Sequence, residues 1–198
     1  MKVESETGQS TTPPENQFGF RTRLLWLLVT MLIVVALDQY SKVYAVREWK
    51  GSPPQSYWGD TFRIQYAENP GAFLSLFANL PDEARFWILT VSNAALLIGV
   101  TAFLLRSNKV DRWTFFALVL VVSGGVGNLI DRALYGYVID YFNIGWGSVR
   151  SGVFNVADMA ISAGFLMMLP LLLKGESKSP SAPEGTRSVV DVKQELVR

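Results

Sequence analysis

Four aspartates, Asp38, Asp131, Asp140 and Asp158, lie inside or at the ends of stretches otherwise almost free of charge, and Lys42, Asn69, Asn128, Arg132 and Asn155 accompany them. Asp38/Lys42 and Asn128/Arg132 are four residues apart, while Asn128/Asp131 and Asn155/Asp158 are three apart. On a helix each of these sets shares one face. The chain has no Cys and no His. That removes the thiolate nucleophile, the disulfide, the zinc knuckle and the Ser-His-Asp arrangement together. Proton transfer is left to Asp, Glu, Lys or Tyr.

Two carboxylates sharing a site suit this menu, because like-charge repulsion leaves one protonated and one ionised. The ionised member can take a proton from a water attacking a carbonyl carbon. The protonated member can donate to the carbonyl oxygen and then to the leaving amine. Such a site calls for neither metal nor cofactor. Local pairing absorbs part of the set: Asp38 with Lys42, Asp131 with Arg132, and Asn155 as a helix cap. Asp140 and Asp158 are left without a cation on their own helical face, Arg150 being the one possibility between them. A Ser/Lys alternative has a single pair, Ser41 and Lys42, whose adjacent positions point apart on a helix.

The elements that must carry these residues are apolar. Of the 198 residues 49% are hydrophobic and 18% charged, with mean hydropathy +0.23 and net charge +1. A soluble domain carries roughly 25% charged residues. A net charge near zero without basic blocks also makes nucleic acid an unsuitable partner. Uncharged runs occupy 24–37, 86–105, 113–130 and, with Asp158 as the single acid, 153–173. A bilayer core takes roughly 20 helical residues, and these runs are apolar on every face rather than along one stripe. The sequence therefore predicts an all-α membrane protein with four transmembrane helices, about 24–45, 86–105, 113–132 and 153–173. A cleavable signal peptide over the first run fits Val34 and Ala36 only loosely, and the run begins late for one.

Lys and Arg orient the chain. Arg21, Arg23, Arg106, Lys109, Arg112 and Lys174 flank the runs on one side, which predicts both termini in the cytoplasm. Residues 1–20 and 175–198, polar and rich in Ser, Thr, Pro and Glu, are expected as disordered tails around a 21–174 membrane domain. The outer loop 46–84 holds Trp49, Tyr57, Trp58 and Tyr66, suited to a membrane interface. Residues 61–66 alternate like a strand that could pair with 141–152, a small extracytoplasmic β element beside an interfacial segment. Glycines within 123–127 would let neighbouring helices approach closely. On this topology all four acids, with Asn69, Asn128 and Asn155, arrive at the outer end of the bundle. Charge there is costly and marks a functional site.

The segments LDQYSK at 37–42, ENPGAF at 68–73, GGVGNLIDR at 124–132, VIDYF at 138–142 and FNVADM at 154–159 occur in this order. Together they resemble the bacterial lipoprotein signal peptidase family, also called signal peptidase II, over the core from residue 24 to 173. The resemblance implies an intramembrane aspartic endopeptidase of the bacterial inner membrane, its site near the periplasmic face. Such an enzyme removes signal peptides from prolipoproteins by cutting before a diacylglyceryl-modified Cys. It implies Asp140 and Asp158 as the catalytic pair. Asp38, Lys42, Asn69, Gly124, Asn128, Arg132 and Asn155 match residues that support the pair or bind substrate. Expected partners are the lipidated prolipoprotein and membrane lipids, with no metal and no cofactor, and the enzyme is expected to act as a monomer. Three positions depart from the family pattern: Ser41 replaces the usual Thr, Met159 stands where Ser is common, and Phe73 comes one place early. Two other readings compete: a small proton- or cation-coupled carrier using the acids as ion sites, and a scaffold whose polar cluster only packs helices.

Overall fold

The computed structural model describes residues 18–71, 77, 79–107 and 109–174. Phe73 and nearly all of the expected tails lie outside them. Among the described residues three helices are long and apolar enough to cross a membrane: α1 (Phe20–Trp49), Asp82–Arg106 and α4 (Arg112–Tyr135). The second is composite, with α2 (Asp82–Arg85) running through a π-helical stretch (Phe86–Val91) into α3 (Ser92–Arg106). The last helix, α5 (Val156–Lys174), carries Asp158 in its first turn and Pro170 near its end. Its apolar part, Val156–Pro170, is shorter than the other three spans. The residues from Leu169 form a unit separate from the body that ends at Met168.

Strands β1 (Gln55–Tyr57), β2 (Phe62–Asn69), β3 (Val138–Trp146) and β4 (Val149–Arg150) form one antiparallel sheet in chain order. The expected pairing of 61–66 with 141–152 is present, Phe62 facing Ile144, and the ladder runs on beyond both segments, Ala67 facing Asp140. A bulge between Ile64 and Ala67 shifts the register. The expected aromatic belt is divided. Trp58 is exposed, whereas Trp49 packs against Tyr44 and Tyr141 and the Tyr66 hydroxyl donates to Glu68 at 2.9 Å.

The helices expose leucine and bury charge, the reverse of a soluble bundle. Leu25, Leu28, Leu32 and Ile33 of α1 point outward, while Arg23, Asp38 and Lys42 are buried. This is the pattern of helices whose outer solvent is lipid, where apolar exposure costs nothing and unpaired charge is prohibitive. Helix α4 is the central one. Its Phe115, Val119 and Val122 pack with Leu27 of α1 and Leu97 and Leu104 of α3. It starts at Asp111, whose carboxylate accepts from Trp113 N and Thr114 N at 2.9 and 3.1 Å, and ends at Gly136 with φ of +78°. Only glycine takes that left-handed C-cap without strain.

The end of the bundle opposite the sheet is clipped by Arg23. Its Nε donates to Phe18 O at 2.8 Å, and its two terminal nitrogens reach Leu104 O at 3.0 Å and Val110 O at 3.3 Å, with Ser107 O as a further acceptor. A guanidinium suits this position because the last carbonyls of α3 lack intrahelical donors and carry the negative end of the helix dipole. Arg23 is therefore a buried structural cation, beyond the flanking charge that the sequence suggests.

Candidate active site

Asp140 and Asp158 reach one place from two elements. Asp140 comes from β3, and two residues beyond its partner Ala67 the sheet brings Asn69 alongside. Asn69 Nδ2 donates to Asp140 Oδ2 at 3.1 Å, while Asn69 Oδ1 accepts from Gly71 N at 3.0 Å and closes the turn that follows β2. Asp158 comes from the start of α5 through a reciprocal cap. Asn155 Oδ1 accepts from Asp158 N at 2.9 Å, and Asp158 Oδ2 accepts from Asn155 N at 3.2 Å. This is the capping box, satisfying two helix-start donors at once. Asn155 is thus the cap that its sequence position suggests.

Asn155 also joins the two acids. Its Nδ2 donates to Asp140 Oδ1 at 2.7 Å, and further acceptors are Asn128 Oδ1 at 3.1 Å and Ile139 O at 3.2 Å. From α4, Asn128 Nδ2 donates to Asp158 Oδ1 at 2.8 Å. The acids are not equivalent. Asp140 is 2% exposed, whereas Asp158 is only half-buried. Burial pushes the Asp140 carboxyl up to about 7, the Asp158 charge adding in the same direction against the Asn69 and Asn155 amides.

Behind the pair lies a buried ion group. Lys42 Nζ sits 2.7 Å from Asp38 Oδ2, 2.9 Å from Asp131 Oδ2 and 3.1 Å from Asn128 Oδ1, using all three of its protons. Asp38 Oδ1 accepts from Ala157 N at 2.8 Å, and Asp131 Oδ2 accepts from Ile139 N at 3.0 Å. The Asp38–Lys42 pair is the one its spacing suggests. Asp131 is different: its cation is Lys42, not Arg132. Neighbouring residues on a helix diverge, and Lys42 reaches Asp131 across the α1–α4 seam. Among the described residues no three acids converge to hold a metal ion.

Arg132 points elsewhere, Nη2 donating to Gly71 O at 2.9 Å and Nη1 to Asn128 O at 3.4 Å. It lines a groove of about 390 Å³ with Pro70, Phe86, Leu89, Thr90 and Tyr135. Arg150 does not lie between the two acids. It bonds Asn143 Oδ1 at 2.5 Å and Asp60 O at 2.7 Å, on the sheet. Met159 is half-exposed, and the Asp158 carboxylate takes its donors from Asn128 Nδ2 and Asn155 N.

Two glycines set the helix spacing that this geometry needs. A Cβ on Gly124 would fall 2.3 Å from Ala157 O, and one on Gly127 would fall 2.7 Å from Asp38 Oδ2. Asp131, Gln39 and Tyr141 hold this region together more than their sequence positions suggest. Tyr141 is fully buried, its hydroxyl 2.5 Å from Ser41 Oγ, which in turn donates to Asp38 O at 2.8 Å. The available signal for Gln39 was an uncharged polar side chain inside a membrane span, next to an acid.

A family model described as "Signal peptidase (SPase) II" matches residues 30–174. A protein of Psychromonas ingrahamii named "Lipoprotein signal peptidase" is 31% identical over 84% of this chain and 94% of its own length. Proteins of the same name from Streptococcus thermophilus and Brevibacillus brevis are 34% and 31% identical over 76% and 77% of this chain, and over 94% and 98% of their own. Two solved structures share the fold at a TM-score of 0.65, with 21% and 23% identity. Both are described as bacterial membrane enzymes solved by the in meso method, and they match over 85% and 81% of this chain and 98% of each of theirs.

Proposed function

The chain belongs to the signal peptidase II family, and on that premise we propose that it is an intramembrane aspartic endopeptidase of bacterial prolipoproteins. The bond cut is the one before a diacylglyceryl-modified Cys of the substrate. Asp140 and Asp158 are the catalytic pair. The observation that carries this reading is the sharing of one residue, Asn155, by two carboxyls of unequal burial: its side-chain amide donates to Asp140 and its backbone N–H to Asp158.

The chemistry follows from that inequality. Asp140, buried and raised to about 7, is the protonated member and donates to the scissile carbonyl oxygen. Asp158, more open and held by two N–H donors, is the ionised member and takes a proton from the attacking water. As the tetrahedral intermediate collapses, the proton on Asp158 passes to the leaving amine, the C–N bond breaks, and the carbonyl re-forms as its proton returns to Asp140. Asn69, Asn128 and Asn155 orient the carboxyls, Asp38 and Lys42 brace them, Gly124 admits α5, and Arg132 faces the substrate from its groove.

Placement in the cell follows the same reading. The 19 residues of α5 form a fourth crossing, long enough at about 1.5 Å per residue for a bilayer core of about 30 Å. The Lys and Arg near the Arg23 end put both termini in the cytoplasm of a bacterial inner-membrane protein, with the sheet and acids at the periplasmic face.

The test is cleavage of a purified diacylglyceryl-modified prolipoprotein by the wild type, Asp140→Asn and Asp158→Asn. Wild-type cleavage and a loss of roughly 10²–10⁴-fold or more in each variant are expected. Full activity in either variant would remove that acid from the reaction.

A further inference from the structure

Asp38 and Asp131 have a second task beyond neutralising Lys42. Each grips the backbone amide of the residue just before one of the paired acids: Asp38 takes Ala157 N at 2.8 Å, and Asp131 takes Ile139 N at 3.0 Å. Lys42 joins the two grips from one side. Gln39 joins them from another. Its Nε2 lies 3.2 Å from Asp38 Oδ2, 3.0 Å from Asp131 Oδ1 and 3.2 Å from Gly127 O.

We propose that Gln39 is a positioning residue for the acid pair, closing with Lys42 a brace that sets Asp140 and Asp158 relative to each other through the Ile139 and Ala157 amides. The proposal rests on reading Asp140 and Asp158 as the reacting acids. Its force comes from how the donors are distributed. Asp131 Oδ2 has two donors, Lys42 Nζ and Ile139 N, whereas Gln39 is the donor recorded for Asp131 Oδ1. Asp131 is fully buried. Without Gln39 one of its oxygens loses that donor, and a buried acceptor turns to recover one rather than stay unpaired. Turning Asp131 moves the oxygen that holds Ile139 N, and with it the peptide that leads into Asp140. Asp38 is affected through the same side chain, because its Oδ2 shares Gln39 with Lys42.

Lys42 cannot do this alone. Its three protons are committed to Asp38, Asp131 and Asn128, which leaves none for Asp131 Oδ1. Gln39 is also placed where it can be changed without breaking the core. It is half-buried and lines, with Lys50, Tyr66 and Tyr137, a cleft of about 200 Å³. A substituted side chain there meets open space rather than packed core, so the fold tolerates replacement.

The experiment uses the full chain in lipid nanodiscs and compares wild type with Gln39→Met, which keeps length but has no donor. Tyr40→Phe, at the exposed neighbouring position, is the control. Two readouts are taken: kcat and KM on the lipidated prolipoprotein, and backbone amide exchange at Ile139 and Ala157. Gln39→Met should lower kcat about 10- to 50-fold with KM within about twofold, the signature of misplaced reacting groups rather than lost binding. Exchange at Ile139 and Ala157 should rise together by about tenfold, with Val119 in the middle of α4 unchanged. A loss carried by KM, or exchange that rises at neither or only one of the two amides, overturns the brace. Gln39→Glu keeps the shape but sets a third carboxylate against the other two, and a loss smaller than that of Gln39→Met also overturns it. The two readings fail separately. If exchange responds as stated but the wild type cleaves nothing, the brace stands and the peptidase reading falls. If the wild type cleaves and Gln39→Met matches it in both readouts, the reverse holds.

Discussion

Asp140 and Asp158 carry the same functional group, and their surroundings make them different reagents. Asp140 is enclosed by β3, Asn69 and Asn155, so ionising it costs desolvation that two amide donors only partly offset. Two pH effects follow, with opposite experimental handles. In the proposed reaction the protonated form is the donor, so on that reading kcat should fall as pH rises through about 7; a pH–rate profile on the lipidated substrate checks it, and the falling limb belongs to the coupled pair. In stability the folded pKa lies above the unfolded value of about 3.9. Neutral Asp140 therefore contributes stability that is complete below that unfolded value and is lost as pH rises through about 7. Asp140→Asn abolishes the dependence. Its thermal midpoint should exceed the wild type's by several degrees near pH 8 and by less near pH 4.5; a gap independent of pH would contradict the raised carboxyl.

No single element holds the site. Strand β3 delivers Asp140, β2 brings Asn69 to it by register, the first turn of α5 presents Asp158 through its own capping box, and α4 supplies Asn128 between them. The tolerance between α4 and α5 is small, because a Cβ on Gly124 would fall 2.3 Å from the carbonyl oxygen of Ala157, one residue before Asp158. Gly124→Val should push α5 outward and, since displacement of reacting groups by about 1 Å can cost about 10²-fold, lower kcat by at least that factor. Gly99 in α3 has open space where its Cβ would fall, so Gly99→Ala should leave activity unchanged and stability equal or slightly higher. Measured together by kcat and thermal midpoint, the two separate helix spacing from a general intolerance of added methyl groups.

Across the whole molecule the two ends of the bundle have different tasks. The sheet end gathers the acids, while the far end is held by Arg23 on the carbonyls of Phe18, Leu104, Ser107 and Val110. Arg23→Ala should destabilise the fold by about 1–3 kcal/mol, the cost of leaving buried acceptors without donors. It should leave the kcat of the folded fraction unchanged; a matched loss of kcat would mean that the two ends are coupled. Much of this was legible before any coordinates. Three apolar spans, an antiparallel pair in the outer loop, the Asp38–Lys42 contact and the Asn155 cap all follow from patterns that act over a few residues, or from the demand of lipid for uninterrupted apolar helix. The absence of Cys and His narrowed proton chemistry to carboxylates for the same kind of reason, since it depends on residue type alone. What the sequence could not state was which partner each charge would choose. Asp131 is next to Arg132 in the chain yet pairs with Lys42 across a helix seam, and Arg150 turns to Asp60 and Asn143 on the sheet. Those choices are made by side chains meeting across elements distant in sequence, under the rule that a buried charge must find a partner wherever packing puts one. Composition and spacing determined that carboxylates would meet at one end of a membrane bundle. Only the tertiary structure decided which of them would pair with Lys42 and which would take hydrogen bonds from Asn155.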